Sequence, residues 1–141
     1  MTSVWEAPRR AYELAQNLAA GDRAALDELW KGLTSQDQAD VVIALGAQAR
    51  YAARAVRIDH GTSVAIPGGI WDRITCSGIR EFAIDSWGGV RCARVPSALC
   101  GHCLRAAADL LAELHLAALA ASGVPRSMLV EVCARAAAES R

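Results

Sequence analysis

The sequence predicts a mainly helical α+β domain, in which about five helices surround a small three-stranded antiparallel β-meander inserted between helices three and four. One observation is the composition: 53% of the residues are hydrophobic, and many are alanine, the best helix former. Another is the helical spacing of apolar residues near both ends, around a middle rich in glycine. A length of 141 residues suits a single domain. Its parts are N-terminal helices (1–58), a meander (61–95), and a cysteine cluster with C-terminal helices (96–141).

Breaker residues and polar caps separate the first two predicted helices. Pro8 suits the first turn of the first helix, because a proline there loses no intrahelical hydrogen bond. Gly21 then ends this helix, and Asp22 provides a side chain that can cap the next one. Gly32 closes the second helix. Two short helices are therefore expected before residue 33.

A long third helix follows and runs to about Arg57. Either Thr34 or Ser35 is its N-cap, with Asp37 or Gln38 three positions on, as in a capping box. Apolar residues at helical spacing mark its buried side. They are Val41, Val42, Leu45, Ala49, Ala52 and Val56.

The middle of the chain has the pattern of short strands. Three β-like runs, 70–76, 79–87 and 90–95, are joined by Ser77-Gly78 and Gly88-Gly89. Two-residue links of this kind indicate hairpins, because the tight turns need positive φ. These features predict the three-stranded meander.

Two helices complete the predicted fold. The segment from 103 to about 121 is apolar nearly all round, so it lies either at the centre of the core or in an interface between copies. Gly123 ends it and Pro125 opens the last helix. His115 falls on an apolar stripe, which is typical of a hydrogen-bonded core histidine, and Cys133 is assigned to the core.

The most specific chemical feature is the motif Cys100-Gly101-His102-Cys103. The chain has five cysteines, and its first residues have no basic segment followed by an apolar one. We therefore expect a reducing, cytoplasmic location, where a CxxC indicates metal or redox chemistry. Its place at the head of a predicted helix favours thiolate, which ligates zinc and also attacks disulfides.

A structural zinc ion held by four cysteines is the preferred interpretation of this motif. The expected ligands are Cys76, Cys92, Cys100 and Cys103. Regular hairpins would place the first two roughly 20 Å apart, so a shorter or bent sheet is required. Otherwise Cys92, Cys100 and Cys103 hold the ion, and the fourth ligand is one of three alternates: His102, His60 or Asp85.

Two other functions stay open beside the zinc site. The motif Cys-Gly-His-Cys resembles the active site of protein disulfide isomerases of the thioredoxin family, which implies a thiol-redox enzyme or sensor. That family has Trp or Tyr before the first cysteine, whereas Leu99 stands here. The third alternative is a metal-free structural protein that self-associates through helix 103–121.

The preferred function is a non-enzymatic, zinc-stabilised interaction module with a regulatory role. No recognised catalytic motif occurs in the sequence, and no apolar run is long enough to cross a membrane. The formal net charge is zero, which favours a protein partner over nucleic acid. The residues expected to contact a partner are arginines in and beside the meander: Arg73, Arg80, Arg91, Arg94 and Arg105.

Overall fold

Five α-helices make up most of the described protein. A computed structural model describes residues 6–60 and 101–140, with side chains for 6–56 and 104–140. The helices are α1 (Ala7–Ala20), α2 (Arg23–Lys31), α3 (Ser35–His60), α4 (Gly101–Ala121) and α5 (Leu129–Glu139). A short 3₁₀ turn, Arg126–Met128, leads into α5. None of the described helices combines the length and the hydropathy that a membrane span requires.

The helix ends are fixed by the residues that the sequence predicted. Gly21 follows α1 with a φ of 70°, a left-handed conformation that glycine adopts without steric cost. Asp22 caps α2, since its Oδ1 accepts a hydrogen bond from the Ala25 N–H at 3.0 Å. Thr34 caps α3 in the same way, accepting from the Asp37 N–H at 3.1 Å. The N-cap of α3 is therefore Thr34 and not Ser35.

Helix α4 lies at the centre of the described core. Its contact with α3 is the most extensive in the structure, while α1 packs against α3, α4 and α5, and α2 packs on α1. Buried side chains occur nearly all round α4, which confirms the first of the two predicted environments. They include Leu104, Ala107, Ala108, Leu110, Leu111, Ala112, Leu114 and Ala118. Within the chain, α1, α3 and α5 supply apolar side chains to the same core.

The α+β assignment is wrong for this structure. Helical residues make up 89% of the described chain, and no strand or sheet occurs among them. The segments assigned to the three-stranded meander, 70–76, 79–87 and 90–95, lie outside the described residues. The prediction failed because turn dipeptides fix only the local chain direction, whereas a small sheet is stable only when one face is buried. The apolar faces of the five helices are instead buried against one another.

Candidate functional site

A cavity of about 240 Å³ lies among α1, α3, α4 and α5. Small and aliphatic side chains form much of its lining: Ala52, Ala55, Ala118, Leu119, Val132 and Ala136. Four polar or sulfur-containing residues, Tyr12, Gln48, His115 and Cys133, contribute as well. Two further lining residues, Tyr51 and Ser122, are exposed and therefore mark its rim.

His115 is the most unusual residue of this lining. It comes from α4 and is only 5% exposed. Its Nδ1 is buried and has no hydrogen-bond partner among the described residues. Burial lowers the pKa of His115 from 6.5 to about 4, because the cation loses its hydration. The sequence correctly predicted a buried histidine, but the structure gives this nitrogen no partner.

Gln48 also has a buried polar atom without a hydrogen-bond partner among the described residues. Its Nε2 donates a hydrogen bond to the Pro8 carbonyl oxygen at 2.9 Å, which ties α3 to the start of α1. Because a carbonyl oxygen only accepts, this bond fixes which end of the amide carries nitrogen. The remaining Oε1 is buried without a hydrogen-bond partner in the described chain. It is therefore an acceptor that lacks a donor.

Tyr12 and Cys133 complete the polar part of the lining. Burial raises the pKa of Tyr12, and the neighbouring Cys133 and Tyr51 raise it further. Burial also raises the pKa of the Cys133 thiol, to about 11. Cys133 is 1% exposed, which confirms its assignment to the core. Near pH 7 both groups are protonated and neutral.

The cavity is better suited to binding than to nucleophilic chemistry. Nucleophilic catalysis by cysteine needs a thiolate, usually paired with a histidine that takes the proton. Here the pKa of His115 is about 4 and that of Cys133 about 11, so a proton moving from sulfur to nitrogen would create two buried charges. None of the described lining residues carries a formal charge at neutral pH. What the arrangement offers is an uncharged pocket with a largely apolar lining.

The predicted zinc ligands lie mostly beyond the described residues. Cys76, Cys92, Cys100 and the alternate Asp85 lie outside them. Cys103 and His102 belong to the first turn of α4, and His60 is the last residue of α3, with only their backbone described. Within the described part of the chain, no group of three or more potential metal ligands occurs. The zinc site therefore stays a prediction.

Of the five arginines expected to contact a partner, the structure describes one. Arg105 pairs with Asp27 of α2 at 2.8 Å and with Asp109 of its own helix at 3.1 Å. Burial opposes its charge, but the hydrogen bonds with both carboxylates outweigh this and raise the pKa of Arg105. Its guanidinium thus connects α2 to α4. The other four, Arg73, Arg80, Arg91 and Arg94, lie outside the described residues.

The cavity was missed by the sequence analysis. Its volume arises because alanines of α3, α4 and α5 face the same space, and their pairing depends on which helices meet. The available signal was weak: Gln48 and His115 are polar residues within otherwise apolar stretches. Such residues indicate either a satisfied core group or a binding site, and only the packing distinguishes the two.

Comparison with known proteins finds no relative of this chain. No protein-family model matches it, no curated protein does so, and no solved structure does so.

Proposed function

We propose that this protein is a non-enzymatic binding module whose helical body takes up a small, largely apolar molecule in the cavity among α1, α3, α4 and α5. The observation that carries the proposal is a volume of about 240 Å³ lined mainly by apolar side chains, with no formally charged residue among its described lining. Ligand pockets are typically apolar with a few polar groups that orient the ligand. This lining has that composition.

Energetic considerations favour occupancy of the cavity. The mouth of the cavity is open to solvent at Tyr51 and Ser122. A ligand that enters covers apolar side chains such as Leu119 and Val132, and each Å² of apolar surface removed from water contributes about 25 cal/mol to binding.

Benzene provides a simple test of the cavity, because a cavity of about 150 Å³ already accepts it. We expect benzene to raise the unfolding temperature and to shift the methyl resonances of Leu119 and Val132 saturably. Ala136→Leu fills the cavity from α5 and should abolish both effects. Ala134→Leu is the matched control, since Ala134 lies on the same helix, is also half-buried and does not line the cavity. Equal benzene binding by both variants would exclude this site.

A second candidate function is the zinc-stabilised interaction module with a protein partner. It is supported by the start of α4 at Gly101, which puts Cys103 in the first helical turn. Backbone N–H groups at that end favour thiolate, the form that ligates zinc. In this proposal Cys76, Cys92, Cys100 and Cys103 hold a structural ion, and the arginines near them face the partner.

Elemental analysis tests the zinc site directly. Protein purified without added metal should contain about one zinc per chain, and Cys100→Ser should lose it. Cys133→Ala should keep its zinc, because Cys133 is buried against α1 and the cavity and is not a proposed ligand. A folded, zinc-free sample would reject this candidate. If the Cys100 thiol of such a sample reacted rapidly at a pH well below the pKa of an ordinary thiol, the thiol-redox alternative would be favoured.

A further inference from the structure

The side of α3 that faces away from α4 has the pattern of a surface that pairs with itself. We call it the outer face of α3; its residues, all exposed or half-buried, are Asp40, Ile43, Ala47, Arg50, Tyr51 and Arg54. We infer that this face binds a second copy of the chain, with the two α3 helices antiparallel about a twofold axis. The inference goes beyond the ligand-binding function and does not depend on it. The interface also differs from the one predicted through helix 103–121, whose apolar side chains are largely buried within the chain.

Exposed apolar side chains mark the outer face of α3. Among the described residues, three large apolar side chains are exposed: Ile43 (41%), Tyr51 (79%) and Met128 (40%). Ile43 and Tyr51 both lie on the outer face, about two helical turns apart. Ala47 lies midway between them and is exposed as well. Because helices approach most closely where the side chains at the contact are small, Ala47 is the natural crossing point for a second helix.

An antiparallel arrangement centred on Ala47 matches these apolar residues with each other. In a twofold interface, residues at equal distances before and after the axis lie opposite each other. Ile43 and Tyr51 are four residues before and four residues after Ala47. The ring of Tyr51 therefore packs on Ile43 of the second copy. The contact occurs twice, because the symmetry repeats it.

The charges of the outer face are complementary in the same arrangement. Asp40 and Arg54 are seven residues before and seven residues after Ala47, so Asp40 of each copy faces Arg54 of the other. Arg50 lies one turn from Arg54, close to the same carboxylate. Neither arginine has an ion-pair partner in the part of the chain that the structure describes. A parallel pair of helices would instead bring each arginine against its own copy, where like charges repel.

Tyr51 connects the outer face of α3 to the cavity. It is one of the exposed residues that mark the rim of the cavity. In the antiparallel dimer, Ile43 of the second copy lies against Tyr51 and therefore beside that rim. The second copy thus contributes to the surface that a ligand meets as it enters.

Sedimentation equilibrium of the full chain, with a reducing agent present, measures the dissociation constant of the dimer. Asp40→Arg places like charges opposite each other, so we expect the dissociation constant to rise about tenfold or more. Adding Arg54→Asp to the same chain exchanges the two charges and should restore most of the affinity. Glu28→Arg is the matched control, since Glu28 is exposed on α2 and the substitution alters the net charge by the same amount.

Several results would overturn the inference. A wild-type chain that stays monomeric up to about 1 mM, where even weak association is visible, would leave the outer face to a different protein partner. A dimer that Asp40→Arg does not weaken would have its interface elsewhere. An equal effect of Glu28→Arg would show that net charge alone controls the association. Failure of the double variant to recover would contradict the pairing of Asp40 with Arg54.

Ala47→Cys tests the position of the twofold axis. A disulfide needs Cα atoms within about 7 Å, and only a residue at the axis lies that close to its own copy. Mild oxidation should therefore link position 47 of one copy to position 47 of the other, as identified by peptide mass mapping. Ile43→Cys is the control, because its two copies lie about 12 Å apart along the helices and should not link. Equal linking at both positions, or linking at position 43 alone, would contradict the arrangement.

Discussion

The aromatic rings of Tyr12 and His115 lie 5.8 Å apart, with their planes tilted by 55°. This contact joins α1 to α4 at the lining of the cavity. Tilted rings at such a distance attract through the edge of one and the face of the other. Tyr12 thereby helps to bury the imidazole, and burial is what keeps His115 neutral. The stability of this part of the core should consequently depend on pH.

Acidification should destabilise the protein through His115. The unfolded chain binds a proton at its ordinary pKa of 6.5, whereas the folded chain binds it only near pH 4. Between these values the unfolded state holds more protons, so the free energy of unfolding falls as the pH decreases. The expected loss from pH 7 to pH 4 is about 3 kcal/mol. Urea unfolding at several pH values measures it.

His115→Phe is the control for this pH dependence. The variant removes the titrating group and keeps an aromatic ring in the same place. Because His60 and His102 remain in both chains, the difference between the two curves reports His115 alone. The variant should lose less stability on acidification than the wild-type chain. Parallel curves from pH 7 to pH 4 would show that the imidazole is not desolvated as described.

Cys133 should react slowly in the folded chain. Burial raises its pKa to about 11, compared with 9.0 for an ordinary thiol. At pH 8 this reduces the thiolate fraction about a hundredfold, and only thiolate is alkylated efficiently. Treatment with iodoacetamide followed by peptide mass mapping should show Cys133 unmodified until urea is added. Equal rates in native and unfolded protein would contradict its burial.

The helix ends were the part of the fold that the sequence determined most clearly. Gly21 and Asp22 act locally, because a left-handed residue and a capping carboxylate work within one helical turn. The burial of Cys133 was likewise predictable from the apolar face of its helix. These features depend on neighbours three or four positions away, which a sequence displays directly.

Features that depend on distant contacts were missed or misjudged. The alanines that border the cavity belong to different helices, and Ala52 and Ala136 are separated by most of the chain. Their proximity follows from the packing of α1 against α3 and α5. The α+β fold class was wrong for a related reason, since a turn signal such as Ser77-Gly78 carries no information about which face of a strand would be buried. A turn dipeptide shows where the chain reverses, but it does not show whether the flanking strands have a surface to pack against.

The ion pairs of Arg105 should contribute unequally to stability. Asp109 is 16% exposed and Asp27 is 50% exposed, so solvent screens the second carboxylate more strongly. In double-mutant cycles with Arg105→Met, we expect a coupling below about 0.5 kcal/mol for Asp27→Asn and about 1 kcal/mol for Asp109→Asn. Added salt should weaken the Asp27 coupling first. A larger coupling to Asp27 would mean that the link to α2 is less hydrated than described.

Thr34 and Ser35 should respond differently to the same substitution. Thr34 Oγ1 accepts the hydrogen bond of the Asp37 N–H at 3.1 Å, so Thr34→Ala leaves a helix-end donor without its cap. The expected loss is about 1 kcal/mol in the free energy of unfolding, measured with urea. Ser35 is exposed and is already the first helical residue, where alanine has the higher helix propensity. Ser35→Ala should therefore be neutral or slightly stabilising. If Ser35→Ala were the costly variant, α3 would begin one residue later than Ser35, and the hydroxyl of Ser35 would be its cap.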